Sequence, residues 1–176
     1  MNASLRFAAV AVLLALAACT PGGIQAGSGV TGGSTVPLTG KVVTIAVNLT
    51  NNPPPQFPPP PTIGVVGGYA PAIVNVNVGD QVAFTNTDSF RHTATFIGAN
   101  LAAYPSAQDA AAPTGPLNQG MAAGGESGAT VSQYWTSGTL NAGDSSQKIV
   151  IDKAGMYFFG CAYHYPSGMR GEIIAQ

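Results

Sequence analysis

The segment Gly160 to Gly171, GCAYHYPSGMRG, sets a thiol at Cys161, an imidazole at His164 and a thioether at Met169 in one short loop near the chain's end. The whole chain has only 2 Cys and 2 His, so their meeting here needs an explanation. A free cysteine is often a small buried hydrophobe. This one, however, has an imidazole on its C-terminal side and a thioether beyond it. Soft sulfur donors with imidazole select copper over magnesium, calcium or manganese, and two imidazoles with one thiolate and a weak axial thioether form the donor set of blue-copper electron-transfer sites. Zinc competes for thiolate and imidazole but has little use for a thioether.

The order, spacing and chain position of Cys161, His164 and Met169 resemble the ligand loop of the plastocyanin and pseudoazurin branch of the cupredoxins. The segment YAPAIVNVNVGDQVAFTNTDSFRH, Tyr69 to His92, resembles that family's approach to its remaining ligand, an imidazole from an earlier strand. The likeness spans roughly Tyr69 to Phe96 and Ser137 to Gln176, and fits less specifically near Lys41 to Leu49. Alone, a histidine on an apolar strand is more often a hydrogen-bonded core residue, but His92 is the one remaining imidazole. The resemblance implies an all-β Greek-key sandwich or barrel of about eight strands with long loop insertions. It also implies one mononuclear type 1 copper, with Cys161 as thiolate, His92 and His164 in a trigonal plane and Met169 axial. One electron would pass between a redox-protein donor and acceptor with no small-molecule substrate at the metal. If His164 emerges at the surface, Tyr165, Pro166 and Gly168 would surround it as an apolar docking patch.

Alternation supplies the elements that must carry these donors. Val74, Val76 and Val78 alternate with Asn75 and Asn77, the period of a half-buried strand. Gly79-Asp80 is a turn pair, Val82 and Phe84 alternate again, and Asn86 to Ser89 form a polar loop. His92 opens another run with Ala94 and Phe96-Ile97. Lys148 to Gly160 predicts strand, glycine turn and strand, with Tyr157 and Phe159 on the same face as Cys161. Gly171, Ile173 and Ala175 alternate as a closing strand. Copper(II) with one thiolate is positively charged and copper(I) is not, so apolar walls at Phe96, Phe159 and Met169 would raise the reduction potential.

Composition narrows the class further. The chain has 176 residues, and charged residues are 7% of it where about 25% is usual. No basic footprint for nucleic acid is present. The N-terminal run from Phe7 to Ala18 is shorter than the ~20 residues of a membrane span and reads as an export signal. Leu16-Ala17-Ala18-Cys19 resembles the lipobox of bacterial lipoproteins, which implies a signal peptide over 1–18 and a lipidated Cys19. Residues 19–39 read as a Gly/Ser/Thr-rich tether with a reach of roughly 25 Å, and 40–176 as the cupredoxin domain. Thr20 resembles lipoproteins sent to the outer membrane, so the expected place is the bacterial cell envelope, facing the periplasm.

Two stretches are additional to the family pattern: the Pro-rich Asn51 to Gly64, read as a surface loop, and Gly98 to Thr130, with one helical turn around Asp109 to Ala112. Met121, Glu126 and Met156 are rival ligands without the family's spacing. Relatives often carry Asn after the first histidine and an aromatic before the cysteine, where this chain has Thr93 and Gly160. Thr93 still offers its amide to the sulfur. A copper carrier or buffer would use the same donors but needs an open, labile site, against which stand four ligands fixed by two packed strands; Met-rich or His-rich tracts would favour it, and the sequence has none. A copper enzyme would need an open position or a second copper, and both histidines are already assigned. A structural envelope lipoprotein would bind no metal at all.

Overall fold

Strand β1 (Val42–Val47) lies parallel to β4 (Gln81–Asn86), with Ile45 opposite Phe84, and this pair is the centre of one sheet. The structure is a computed structural model that describes residues 36–54, 67–120 and 129–176. The signal-peptide and Cys19 assignments, most of the tether, the Pro-rich loop beyond Pro54, Met121 and Glu126 lie outside the described residues. Short β2 (Tyr69–Ala70) and β6 (Ile149–Val150) flank the central pair, giving the order β2-β1-β4-β6. The second sheet has the order β3-β8-β7-β5, built from β3 (Ile73–Val76), β5 (Thr95–Ala99), β7 (Gly155–Gly160) and β8 (Arg170–Ala175). The described residues thus form the expected all-β sandwich with eight strands in two mixed sheets.

Alternation works as the sequence implies. In β3 the exposure pattern buries Val74 and Val76 and exposes Ile73 and Asn75. Ile45, Val82 and Phe84 from one sheet meet Val76, Tyr157, Phe159 and Ile173 from the other in a single core that also takes in Cys161 and Met169. Aromatic rings bind its middle: Tyr69 and Phe159 are edge-on at 4.8 Å, Phe84 and Phe159 at 5.2 Å, and Phe84 stacks on Trp135 at 5.7 Å. Each such pair contributes about 0.5–1.5 kcal/mol beyond the area it buries. The metal-ligand candidates therefore sit on a stiff frame.

The 98–130 insertion departs from expectation. Its helical turn is α1 (Ala107–Ala110), capped by the Ser106 hydroxyl, which accepts from the Asp109 amide, and not Asp109 to Ala112. The N-cap explains the earlier start, since Ser106 satisfies an otherwise orphan donor. A second short helix, α2 (Pro116–Gly120), was not anticipated; proline at its first position is preorganised for a helical start.

Candidate metal centre

Cys161 leaves the end of β7 directly into the loop, and its amide donates to the Met169 carbonyl at 3.1 Å as the chain returns toward β8. Between them a 3-10 turn, Tyr165–Ser167, reverses the path, with Pro166 setting its backbone. His164 caps that turn and is half-buried, while Cys161 and Met169 are fully buried. The Met169 side chain lies against Gly68, where a Cβ would collide with its Cγ and come 3.1 Å from its sulfur.

His92 comes from the other side of the site, just before β5. Its backbone is pinned to Leu140 by bonds of 3.1 and 2.8 Å, and the Asn86 side chain holds the preceding loop through the Phe90 and Leu140 carbonyls. The result is convergence: His92 Nδ1 is 3.7 Å from Cys161 Sγ, His164 Nδ1 is 3.5 Å from it, and the two nitrogens are 3.1 Å apart. Residues 69 positions apart in sequence thus present their donors to one point.

The protonation states suit a soft cation. His92 Nε2 faces the Asp88 carboxylate at 3.2 Å; a carboxylate only accepts, so the proton sits on Nε2 and the Nδ1 lone pair faces the sulfur. Burial pushes the Asp88 carboxyl up, but donors from the Thr50 hydroxyl and amide, His92 and the Ser89 amide outweigh it and set its pKa at about 2. Burial lowers both histidines, and for His164 the neighbouring His92 adds to this, so neutral imidazoles are favoured. Burial raises the Cys161 thiol despite the Thr93, Tyr163 and His164 amides, so the metal must displace its proton. Thr93 donates its amide to Sγ at 3.4 Å, as the sequence implies, while its hydroxyl accepts from the Ala162 amide at 2.8 Å.

The donors of His92, Cys161 and His164 pass a simple test of fit. An ion about 2.0–2.3 Å from each donor requires donor separations of roughly 3.3–3.8 Å, near those observed. His92, Cys161 and His164 are the described cluster whose ligand atoms lie within 4.8 Å of one another. Sequence reasoning missed two neighbours. Asp88 was read as part of a polar loop, yet its spacing of four residues from His92 was the available signal. Phe90 lies 5.0 Å from the His92 ring and 5.7 Å from the His164 ring, while Phe96 packs toward Trp135 at 6.2 Å. The expected surface patch also needs correction: Tyr165 is 1% exposed and Gly168 is buried, because the ring turns inward beneath the insertion. Pro166 is exposed as expected.

A two-sheet sandwich with a His, Cys, His cluster at the end of its strands defines a copper-binding cupredoxin. The chain belongs to the copper binding proteins of the plastocyanin/azurin family, whose model matches residues 67–176. Cupredoxins are in general electron carriers, and the site is that of a mononuclear type 1 copper. Among solved structures the chain is similar to a purple cupredoxin from Nitrosopumilus maritimus, with 21% identity, coverage of 76% of this chain and 99% of that one, and a TM-score of 0.44. It is also similar to dithionite-reduced auracyanin from Roseiflexus castenholzii, at 21% identity, 77% and 97% coverage and a TM-score of 0.45. A mutant fern plastocyanin shares 18% identity over 76% of this chain and 100% of that one, with a TM-score of 0.41. No curated protein sequence matches the chain.

Proposed function

We propose that this protein shuttles single electrons between a donor and an acceptor protein, with copper held by His92, Cys161, His164 and Met169. The observation that carries the reading is the approach of one buried sulfur and two imidazole nitrogens to within 3.7 Å of each other. Bound copper supplies the one-electron Cu(II)/Cu(I) couple. The chain supplies a frame tied by hydrogen bonds and strand pairing. Asp88 keeps the His92 proton on Nε2, the Thr93 amide holds the sulfur, and β7 and β8 fix both ends of the ligand loop. A frame fixed in this way favours neither oxidation state's ideal geometry, so reorganisation is small and transfer is fast.

His164 is half-buried where His92 is fully buried, so it marks the side on which an electron leaves. Exposed Phe90, beside His164, and exposed Pro166 form an apolar rim for a redox partner. With charged residues at 7% of the chain, steering is weak and association depends only shallowly on salt. Residues 40–176 form the working domain, tethered through 19–39 to a lipid on Cys19 in the outer membrane and facing the periplasm. Loss of metabolic lipid labelling in Cys19→Ser tests the anchor.

A visible absorption spectrum with one equivalent of Cu(II), before and after ascorbate, tests the site. The expected result is an intense thiolate-to-copper band that bleaches on reduction and returns on reoxidation. A colourless protein would overturn the assignment.

A further inference from the structure

The insertion after β5 grips the ligand loop from the outer face of its sheet. Tyr104, Ala110 and Leu117 of the insertion form a second buried cluster with Phe158 of β7 and with Tyr165, the residue after His164. The Tyr165 ring packs against the end of β7, so that a Cβ at Gly160 would stand 2.6 Å from its Cδ2. Its hydroxyl donates to the Pro105 carbonyl at 2.9 Å. Arg170, the residue after Met169, lays its guanidinium 4.3 Å from the Tyr165 ring and 5.3 Å from the Tyr104 ring. The Tyr104 hydroxyl in turn donates to the Gly171 carbonyl at 2.8 Å. The insertion therefore touches the chain immediately beyond two of the candidate ligands.

We propose that residues 98–118 are a brace on the ligand loop, in which Tyr104, Tyr165 and Arg170 are positioning residues that hold His164 and Met169 in place before metal arrives. On the inner side the Thr93 hydroxyl takes the Ala162 amide, so the loop is held from both faces of the sheet. Gly160 belongs to this device, because any side chain there would occupy the space of the Tyr165 ring. A loop ordered in advance loses less entropy on binding and gives up its ion more slowly. The insertion thus makes the site retentive, which suits an electron carrier and opposes ion exchange. The part of this that concerns copper rests on the ligand assignment proposed above.

The test uses the full chain in mild detergent with Tyr104→Phe/Tyr165→Phe, which removes both hydroxyl grips and keeps the rings, and Tyr165→Leu, which also removes the stack on Arg170. Ile45→Val, in the core strand β1, is the control for general loss of stability. In metal-free protein, amide exchange at Gly168 and Met169 is expected to rise about tenfold in the brace variants, with β1 and β4 amides unchanged. In copper-loaded protein, release of Cu(I) to a chelator is expected to be about tenfold faster, with a shifted visible band, and Ile45→Val to change neither. Loop exchange and release indistinguishable from the unaltered protein would overturn the brace, as would faster exchange spread evenly over every strand. If Tyr165→Leu does not fold, the double Phe variant decides alone. If the unaltered protein takes up no copper, the proposed function fails and exchange at the loop still judges the brace.

Discussion

Replacing Asp88 by Asn should weaken the metal-free protein by about 2 kcal/mol at neutral pH, a magnitude worked from its hydrogen bonds and in keeping with the lowered pKa that those bonds produce. Oδ2 accepts from the Leu49 amide at 2.9 Å, the Thr50 amide at 3.1 Å and His92 Nε2 at 3.2 Å, while Oδ1 accepts from the Thr50 hydroxyl at 2.7 Å and the Ser89 amide at 3.0 Å. An Asn would keep its oxygen toward the first three donors and turn its amide to the Thr50 hydroxyl, which can rotate to accept. Ser89 is exposed and can bond water. What is lost is the charge on three bonds, at roughly 0.5–1 kcal/mol each, or about 2 kcal/mol. The same bonds hold the carboxyl at about 2 in the folded chain, below its ordinary value of 3.8, so it is stabilising when ionised. That difference is worth roughly 2.5 kcal/mol, and somewhat less after solvent screening.

The sign follows from the lowered pKa. The stabilisation is complete above the unfolded value near 4 and disappears as pH falls toward about 2, so that about half survives at pH 3. Urea unfolding of metal-free Asp88→Asn and the unaltered protein should differ in midpoint with equal slopes at pH 7, and by half as much at pH 3. The same variant leaves the His92 Nε2 proton with a neutral acceptor in place of a charged one and should bind copper roughly 10–100-fold more weakly. Coincident midpoints at pH 7 would refute this account of Asp88.

Gly68→Ala brings a methyl into Met169 from a backbone at φ +77, and should cost about 2–3 kcal/mol and shift the visible band as the thioether moves; an unchanged band would separate Met169 from the copper. Phe84→Ala removes the ring shared by Tyr69, Trp135 and Phe159, and should lower urea stability by about 3–5 kcal/mol. Because burial raises the Cys161 thiol and lowers both histidines, copper loading should release one proton near neutral pH. Calorimetry in buffers of different ionisation enthalpy would read that proton; none released would mean the thiol is not a ligand.

Local spacing determined much of this protein. Cys161, His164 and Met169 lie within one loop, so their order is visible in the sequence, and alternation in segments such as Val74 to Val78 marks which side chains enter the core. Those signals survive without an alignment because they depend on the chain's own period. His92 was found by count and resemblance, since nothing within the strand says that its ring faces a sulfur 69 positions away.

What the tertiary structure decided lies between elements. Phe90 and Asp88 looked like loop residues until the sheets brought His164 against the first and the Leu49-Thr50 backbone onto the second. Tyr165 sits beside an exposed proline and was expected at the surface, but Gly160 leaves room for its ring and Pro105 accepts its hydroxyl from 60 positions away. An aromatic ring goes where a partner and a space exist together. The sequence determines that such a ring is present, whereas its burial depends on strand pairing and on an insertion whose composition carries no periodic signal.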